Sequence, residues 1–153
     1  MTEPLVTTQM LIRKPAPEVF NAFIDPAVTT KFCFSKSNGK LELGKRRRWD
    51  WEMFGVGGDV EAKAIEPNAR ILVEWPEDGS TTEWRFEPRG DATLVVITYT
   101  GTEASGCDLI AQATDNMQGY SLVLAGAKFW LEHGIAPKLV VDSKPDNLVE
   151  GWQ

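Results

Sequence analysis

KRRRWDWEMFG, Lys45 to Gly55, is the stretch on which the fold turns. Four consecutive cations run into two tryptophans set among acids. As a free arm it would be a basic tag for nucleic acid or the nucleus. As a strand it sorts cleanly, because side chains alternate between faces. Arg47, Trp49, Trp51 and Met53 then share one face, and Arg46, Arg48, Asp50, Glu52 and Phe54 the other. The cations sit at the strand's start, where cross-strand pairing with Glu61, Glu42 or Glu74 neutralises them. The net charge of −6 favours the strand, since an acidic chain repels phosphate backbones and anionic membranes.

Outward from this strand the period stays at two. Between Lys40 and Gly101, short runs are separated by GVGG, NA, PEDGS and PRGD. That spacing predicts a meander of about six antiparallel strands, with LEL (Leu41–Leu43) as the first. GVGG has the look of a phosphate loop, but a strand follows it instead of a helix, so it reads as a hairpin turn. Before the meander, Val6–Lys14 reads as a strand. Val19, Phe20, Phe23 and Ile24 then recur at helical spacing behind Pro17, and Asp25-Pro26 breaks that helix. A second short helix is expected over Val28 to Phe32. After the meander, Leu109, Ala113, Met117, Tyr120, Leu124, Ala127 and Leu131 form one stripe on a helix from Cys107 to His133. Gly134 and Pro137 end it. The tail 135–153 reads as irregular, or as an edge strand through LVV.

The length of 153 residues suits one domain, 1–153, with a core over 6–134. Cys33 and Cys107 form no CxxC and fit a reducing compartment. The N-terminus has no basic region followed by a long apolar run, and no segment reaches the ~20 apolar residues of a membrane span. The expected location is the cytoplasm, with neither nucleic acid nor membrane as a partner.

Four segments, in order, resemble one family. In APEVFNAFIDPAVTTKFCF, residues Pro17, Val19, Phe20, Ala22, Phe23, Asp25 and Pro26 match the opening signature of the SRPBCC (START/Bet v 1-like) superfamily. The branch is the one related to the C-terminal domain of the activator of the heat-shock-protein-90 ATPase. IEPNARILVEW, Thr93–Gly101 and NMQGYSLVLAGAKFWLE resemble its later hairpin, strand and final helix. The resemblance spans about residues 6 to 133 and implies an α+β helix-grip fold. In that fold a curved antiparallel sheet of six or seven strands wraps a long C-terminal helix, with two short helices after the first strand. Two departures stand out. Phe32 and Cys33 replace a tryptophan pair, and Gly119-Tyr120 stands where the family has Gly-Trp.

The aromatic load has two readings: a tryptophan-rich solid core, or a cavity between sheet and helix. Buried indole N–H groups want partners, which a dry core supplies poorly, and helix-grip relatives commonly enclose apolar ligands. The cavity walls are then Phe20, Phe23, Phe32, Trp49, Trp51, Met53, Trp75, Trp84, Phe86, Met117, Tyr120 and Leu124. The partner is a small hydrophobic, aromatic or lipid-like molecule. Two other functions follow from the resemblance: a chaperone ATPase activator, and a polyketide cyclase or aromatase using the same cavity. Eukaryotic activators carry an additional N-terminal domain for which this chain has no room, which weighs against the first.

No catalytic residue, metal or cofactor is assigned, and binding is favoured over catalysis. The lone His133 suits the helix's C-terminal dipole, and one histidine makes a zinc site a poor fit. Cys33 reads as a small buried filler before a reactive thiol. Asp59 and Arg85 stay open as inward groups if a bulge shifts the register. A homodimer through an exposed edge strand or Trp152 is a further expectation.

Overall fold

The computed structural model describes residues 3–101 and 105–152. Strand β1 (Val6–Ile12) leads into helices α1 (Ala16–Ile24) and α2 (Pro26–Thr29). Six further strands follow: β2 (Lys36–Ser37), β3 (Arg46–Trp51), β4 (Val56–Glu66), β5 (Arg70–Trp75), β6 (Ser80–Arg89) and β7 (Ala92–Thr100). Helix α3 (Gly106–His133) and one helical turn, α4 (Leu139–Asp142), follow, and short 3₁₀ segments lie at Glu52–Phe54 and Pro145–Asn147. The strands form one antiparallel sheet in the order β1-β7-β6-β5-β4-β3-β2. With α3 packed on its inner face, this is the α+β helix-grip architecture.

Alternation decides the sheet's two faces. Trp49, Val60, Ile71, Val73, Trp84, Phe86, Val95 and Ile97 point into one core with Leu124 and Ala127 of α3. The outer face is a lattice of charge. Glu61 lies opposite Glu74, and Lys63 bridges both. Glu83 accepts from Arg70 at 2.6 Å and from Arg85 at 2.8 Å. The basic run is absorbed locally: Arg46 pairs in register with Glu61, Arg47 donates to the Lys40 carbonyl, and Arg48 pairs with Asp50. Glu42 takes both Lys45 and Arg47.

Local chemistry sets the turns. Asp25 is extended, as a residue before proline prefers, which ends α1. Its carboxylate accepts from the Ala27 amide and so caps α2. This cap, with Pro26 in the first turn, starts the second helix at Pro26 instead of the expected Val28. Leu41–Leu43 makes only an isolated bridge, Leu43 to Ala62, and the strand before β3 is Lys36–Ser37. GVGG is also corrected. The turn is a 3₁₀ segment, Glu52–Phe54, closed by Gly55, while Gly57 and Gly58 already pair with Asp50 and Trp49 inside the sheet.

LVV forms α4, not an edge strand. It packs Val140 against the core. The tail then returns to β3's end, where the Val149 amide donates to the Met53 carbonyl at 2.8 Å. At the opposite edge, α3 takes up the backbone of β1. Lys128 donates to the Leu11 carbonyl, and Glu132 accepts from the Arg13 amide. Covering an edge strand in this way removes a template for strand pairing.

Candidate functional site

A cavity of about 450 Å³ opens between the inner face of the sheet and α3. Its walls follow from the alternation of the strands. β3 supplies Trp49 and Trp51, β5 supplies Trp75, and β6 supplies Trp84. Phe23 of α1, Phe34 after α2, Phe54 after β3 and Tyr120 of α3 complete the aromatic lining. The rings brace one another. Phe34 stacks on Trp49 with centroids 4.9 Å apart, and Trp49 meets Trp75 edge-on at 5.6 Å. Trp84 stands perpendicular to Tyr120 at 6.4 Å. Edge-to-face geometry of this kind holds aromatic walls in defined places. Gly58 also shapes the wall. A Cβ there would sit 3.3 Å from the Trp75 ring, so the missing side chain lets that indole lie against β4.

The polar groups inside are few. Trp75 Nε1 donates to Thr82 Oγ1 at 3.0 Å, and Thr82 Oγ1 lies 2.7 Å from the Tyr120 hydroxyl. Trp84 Nε1 is buried without a hydrogen-bond partner among the described residues. Burial pushes the Tyr120 phenol above its ordinary range, against a smaller opposing effect of its bond to Thr82. Burial likewise pushes the Cys33 thiol up to about 12, partly offset by the Phe34 backbone. Both groups are therefore held in their neutral, protonated forms.

The mouth is polar. Exposed Asp115 and Gln118 of α3 face Lys144 and Asn147 of the tail across it, with Val56 on the rim. An adjoining arm of about 270 Å³ shares Trp51, Trp75, Asn116 and Tyr120. It runs out toward Asp59, Asp78, Ser80 and Tyr99.

Six of the expected wall residues line the cavity: Phe23, Trp49, Trp51, Trp75, Trp84 and Tyr120. The other six lie elsewhere. Phe20 and Phe86 pack edge-to-face at 5.3 Å in the core. Leu124 is wholly buried there. Phe32 and Met53 border a second hollow of about 500 Å³ beneath the tail, together with Trp152 of the same chain. Met117 is 45 % exposed on the far flank of α3, over Leu5–Thr7. Arg85 is on the outer face, paired with Glu83, and Asp59 reaches only the side arm.

Alternation and periodicity could not find Phe54, Asn116, Val140 or the tail residues of the mouth. The 3₁₀ turn breaks the strand's alternation and brings Phe54 inward. Asn116 is polar on an apolar stripe, and the tail carries no periodic signal. Cys33, the family departure, does border the cavity, whereas its neighbour Phe32 faces the second hollow. Among the described residues, no group of three or more His, Cys, Asp or Glu is arranged to hold a metal. No described helix is long and apolar enough to cross a membrane.

A meandering sheet closed over one long helix, with an aromatic cavity between them, defines a helix-grip protein of the SRPBCC superfamily. The chain belongs to the family of Activator of Hsp90 ATPase homolog 1-like proteins, whose model matches residues 13–121. Among solved structures it is similar to the protein SSP2350 from Staphylococcus saprophyticus. Identity is 26 % over 85 % of this chain and 93 % of that one, with a TM-score of 0.74. The solution structure of the Aha1 dimer from Colwellia psychrerythraea is similar at 17 % identity, covering 84 % of this chain and 96 % of that one, with a TM-score of 0.71. DynU16, a protein of the dynemicin biosynthetic locus, matches at 19 % identity and a TM-score of 0.74, over 86 % of this chain and 48 % of that one. No curated protein matches the chain by sequence.

Proposed function

We propose that this protein binds a small hydrophobic, largely aromatic molecule between the sheet and α3. The observation that carries this reading is the cavity itself: about 450 Å³, walled by four indoles, three phenylalanines and a tyrosine. Its volume falls in the ~300–1,000 Å³ range of small-molecule sites, which are typically apolar with a few placed polar groups. Flat rings stack on such walls, and each indole face adds contact area.

Native mass spectrometry of freshly purified protein, compared with a denatured extract, tests this directly. A reproducible added mass lost on denaturation supports the reading and identifies the ligand's class. Trp51 is only half-buried and sits at the cavity wall, so Trp51→Ala should leave the fold intact and abolish binding. Unchanged binding in that variant refutes the site. The same spectrum reports whether two chains travel together, as the Colwellia protein does in its dimer.

A cyclase-like reaction in the same cavity is the second reading, favoured by the likeness to DynU16 from a biosynthetic locus. We rank it below binding because Cys33 and Tyr120 are both held protonated, the opposite of an activated nucleophile or base.

A further inference from the structure

The wall of the cavity contains a hydrogen-bond chain whose protons can be counted. Trp75 Nε1, Thr82 Oγ1 and Tyr120 Oη carry three hydrogens between them. Two links join them, Trp75 to Thr82 at 3.0 Å and Thr82 to Tyr120 at 2.7 Å. Among the described residues, neither hydroxyl has another acceptor, so one hydroxyl proton is left over. Its owner follows from burial. Thr82 is fully buried and does not line the cavity. A free proton on Thr82 would be stranded, at a cost of roughly 1–3 kcal/mol for an unsatisfied buried polar group. Tyr120 borders the cavity and its side arm. Thr82 therefore donates to Tyr120, and the phenol's own proton is directed into the cavity.

We propose that Tyr120 is the specificity-determining hydrogen-bond donor of this site, and that the ligand is a flat, apolar molecule carrying an acceptor oxygen, such as a ring carbonyl, that lies against this hydroxyl. The inference rests on the binding function proposed above and adds the polarity of the ligand to it. Tyr120 occupies the position at which the resemblance leads one to expect tryptophan, so a phenol O–H that can both accept and donate stands where an indole N–H could only donate. A phenol pushed above its ordinary range stays protonated through neutral pH and keeps donating. Thr82 holds it from behind, and Thr82 is in turn held by the Trp75 indole, so the hydroxyl is oriented before any ligand arrives. Pre-orientation of this kind lowers the entropy lost on binding.

Fluorenone and fluorene form a matched pair of probes: the same flat ring system, with and without a carbonyl. Their affinities are measured by tryptophan fluorescence on the full chain, with wild type, Tyr120→Phe and Thr82→Val. A net neutral hydrogen bond predicts that wild type prefers fluorenone by roughly two- to tenfold. Tyr120→Phe should erase that preference, read as the ratio of the two affinities within the variant. Bound to wild type, the fluorenone carbonyl stretch should shift to lower wavenumber, and in Tyr120→Phe it should not. Equal binding of both probes by wild type and Tyr120→Phe overturns this inference while leaving the cavity reading standing. A preference absent in wild type and gained in Thr82→Val also overturns it, because the Tyr120 proton would then be spent on Thr82. Failure of wild type to bind either probe overturns the cavity reading and this inference together.

Discussion

Two glycines of α3 make the contact between the helix and Phe32 testable. Gly126 is buried, and a Cβ built there would lie 2.9 Å from Phe32 Cβ and 3.4 Å from the Phe32 carbonyl oxygen. Carbon atoms in good contact sit at about 3.5–4.0 Å. The Phe32 Cβ is anchored directly to its backbone, and Phe32 is itself buried, so it cannot swing aside. Two opposing effects set the magnitude of Gly126→Ala. Alanine in a helix interior gains about 1 kcal/mol over glycine. Overpacking by one carbon against a rigid neighbour costs typically ~1–3 kcal/mol. Because the neighbour is rigid, the upper part of that range applies, and the net change is a loss of about 1–2 kcal/mol. Gly119, two turns earlier on the same helix, is the control, since nothing lies within 4 Å of its virtual Cβ. Gly119→Ala keeps only the propensity gain, about 0.5–1 kcal/mol. One substitution in one helix should thus carry opposite signs at two positions. Urea denaturation followed by circular dichroism measures both. For a chain of this size, 1 kcal/mol shifts Tm by roughly 2–4 °C, so thermal melts resolve the difference as well. A Gly126→Ala protein as stable as wild type refutes the close approach of α3 to Phe32. Equal destabilisation at Gly119 would mean that the helix, and not the contact, is being perturbed.

The two cysteines should differ in reactivity at pH 8: Cys107 is exposed and should label rapidly with a disulfide reagent, while Cys33, half-buried at the cavity wall with its thiol pushed up to about 12, should label far more slowly until the protein unfolds. The raised Cys33 value also predicts alkaline sensitivity. The unfolded thiol ionises near 9.0 and the folded one near 12, so its contribution is complete below pH 9 and is lost as pH rises through that window. Cys33→Ala should flatten that part of the stability–pH curve, and an unchanged slope would refute burial of the thiol. Glu132 has the opposite sign. Burial raises its carboxyl, but Lys128 and the Arg13 amide outweigh burial and hold it below its ordinary range. Its stabilisation is therefore present at neutral pH and lost on acidification. Glu132→Ala should cost ~1–3 kcal/mol and weaken acid sensitivity, with chemical denaturation at pH 7 and pH 4 as the measurement.

Much of the cavity was legible because strands report their faces in sequence. Trp49 and Trp51, two residues apart, had to share a side, and so did Trp84 with Phe86. Alternation cannot say how far along a face the core ends and the cavity begins. Phe86 and Phe20 therefore pack against each other below the cavity, although their residue types match its walls. Met117 failed for a different reason. Steps of three and four along a helix tolerate a wide stripe. Over the cavity, where no side chain opposes α3, Asn116 and Gly119 face inward while Met117 turns out over Leu5–Thr7.

The chain's own pattern determined β1, α1, the strands β3 to β7 and α3, their order, and most of the inner face of those strands. Those properties depend on neighbours close in sequence or on a period the backbone imposes. Tertiary structure alone decided that the 3₁₀ turn would bring Phe54 inward, that the tail would supply one side of the mouth, and that Thr82 would meet Tyr120, 38 residues away. These contacts join segments whose spacing follows no period, so they arise only when the sheet closes over the helix.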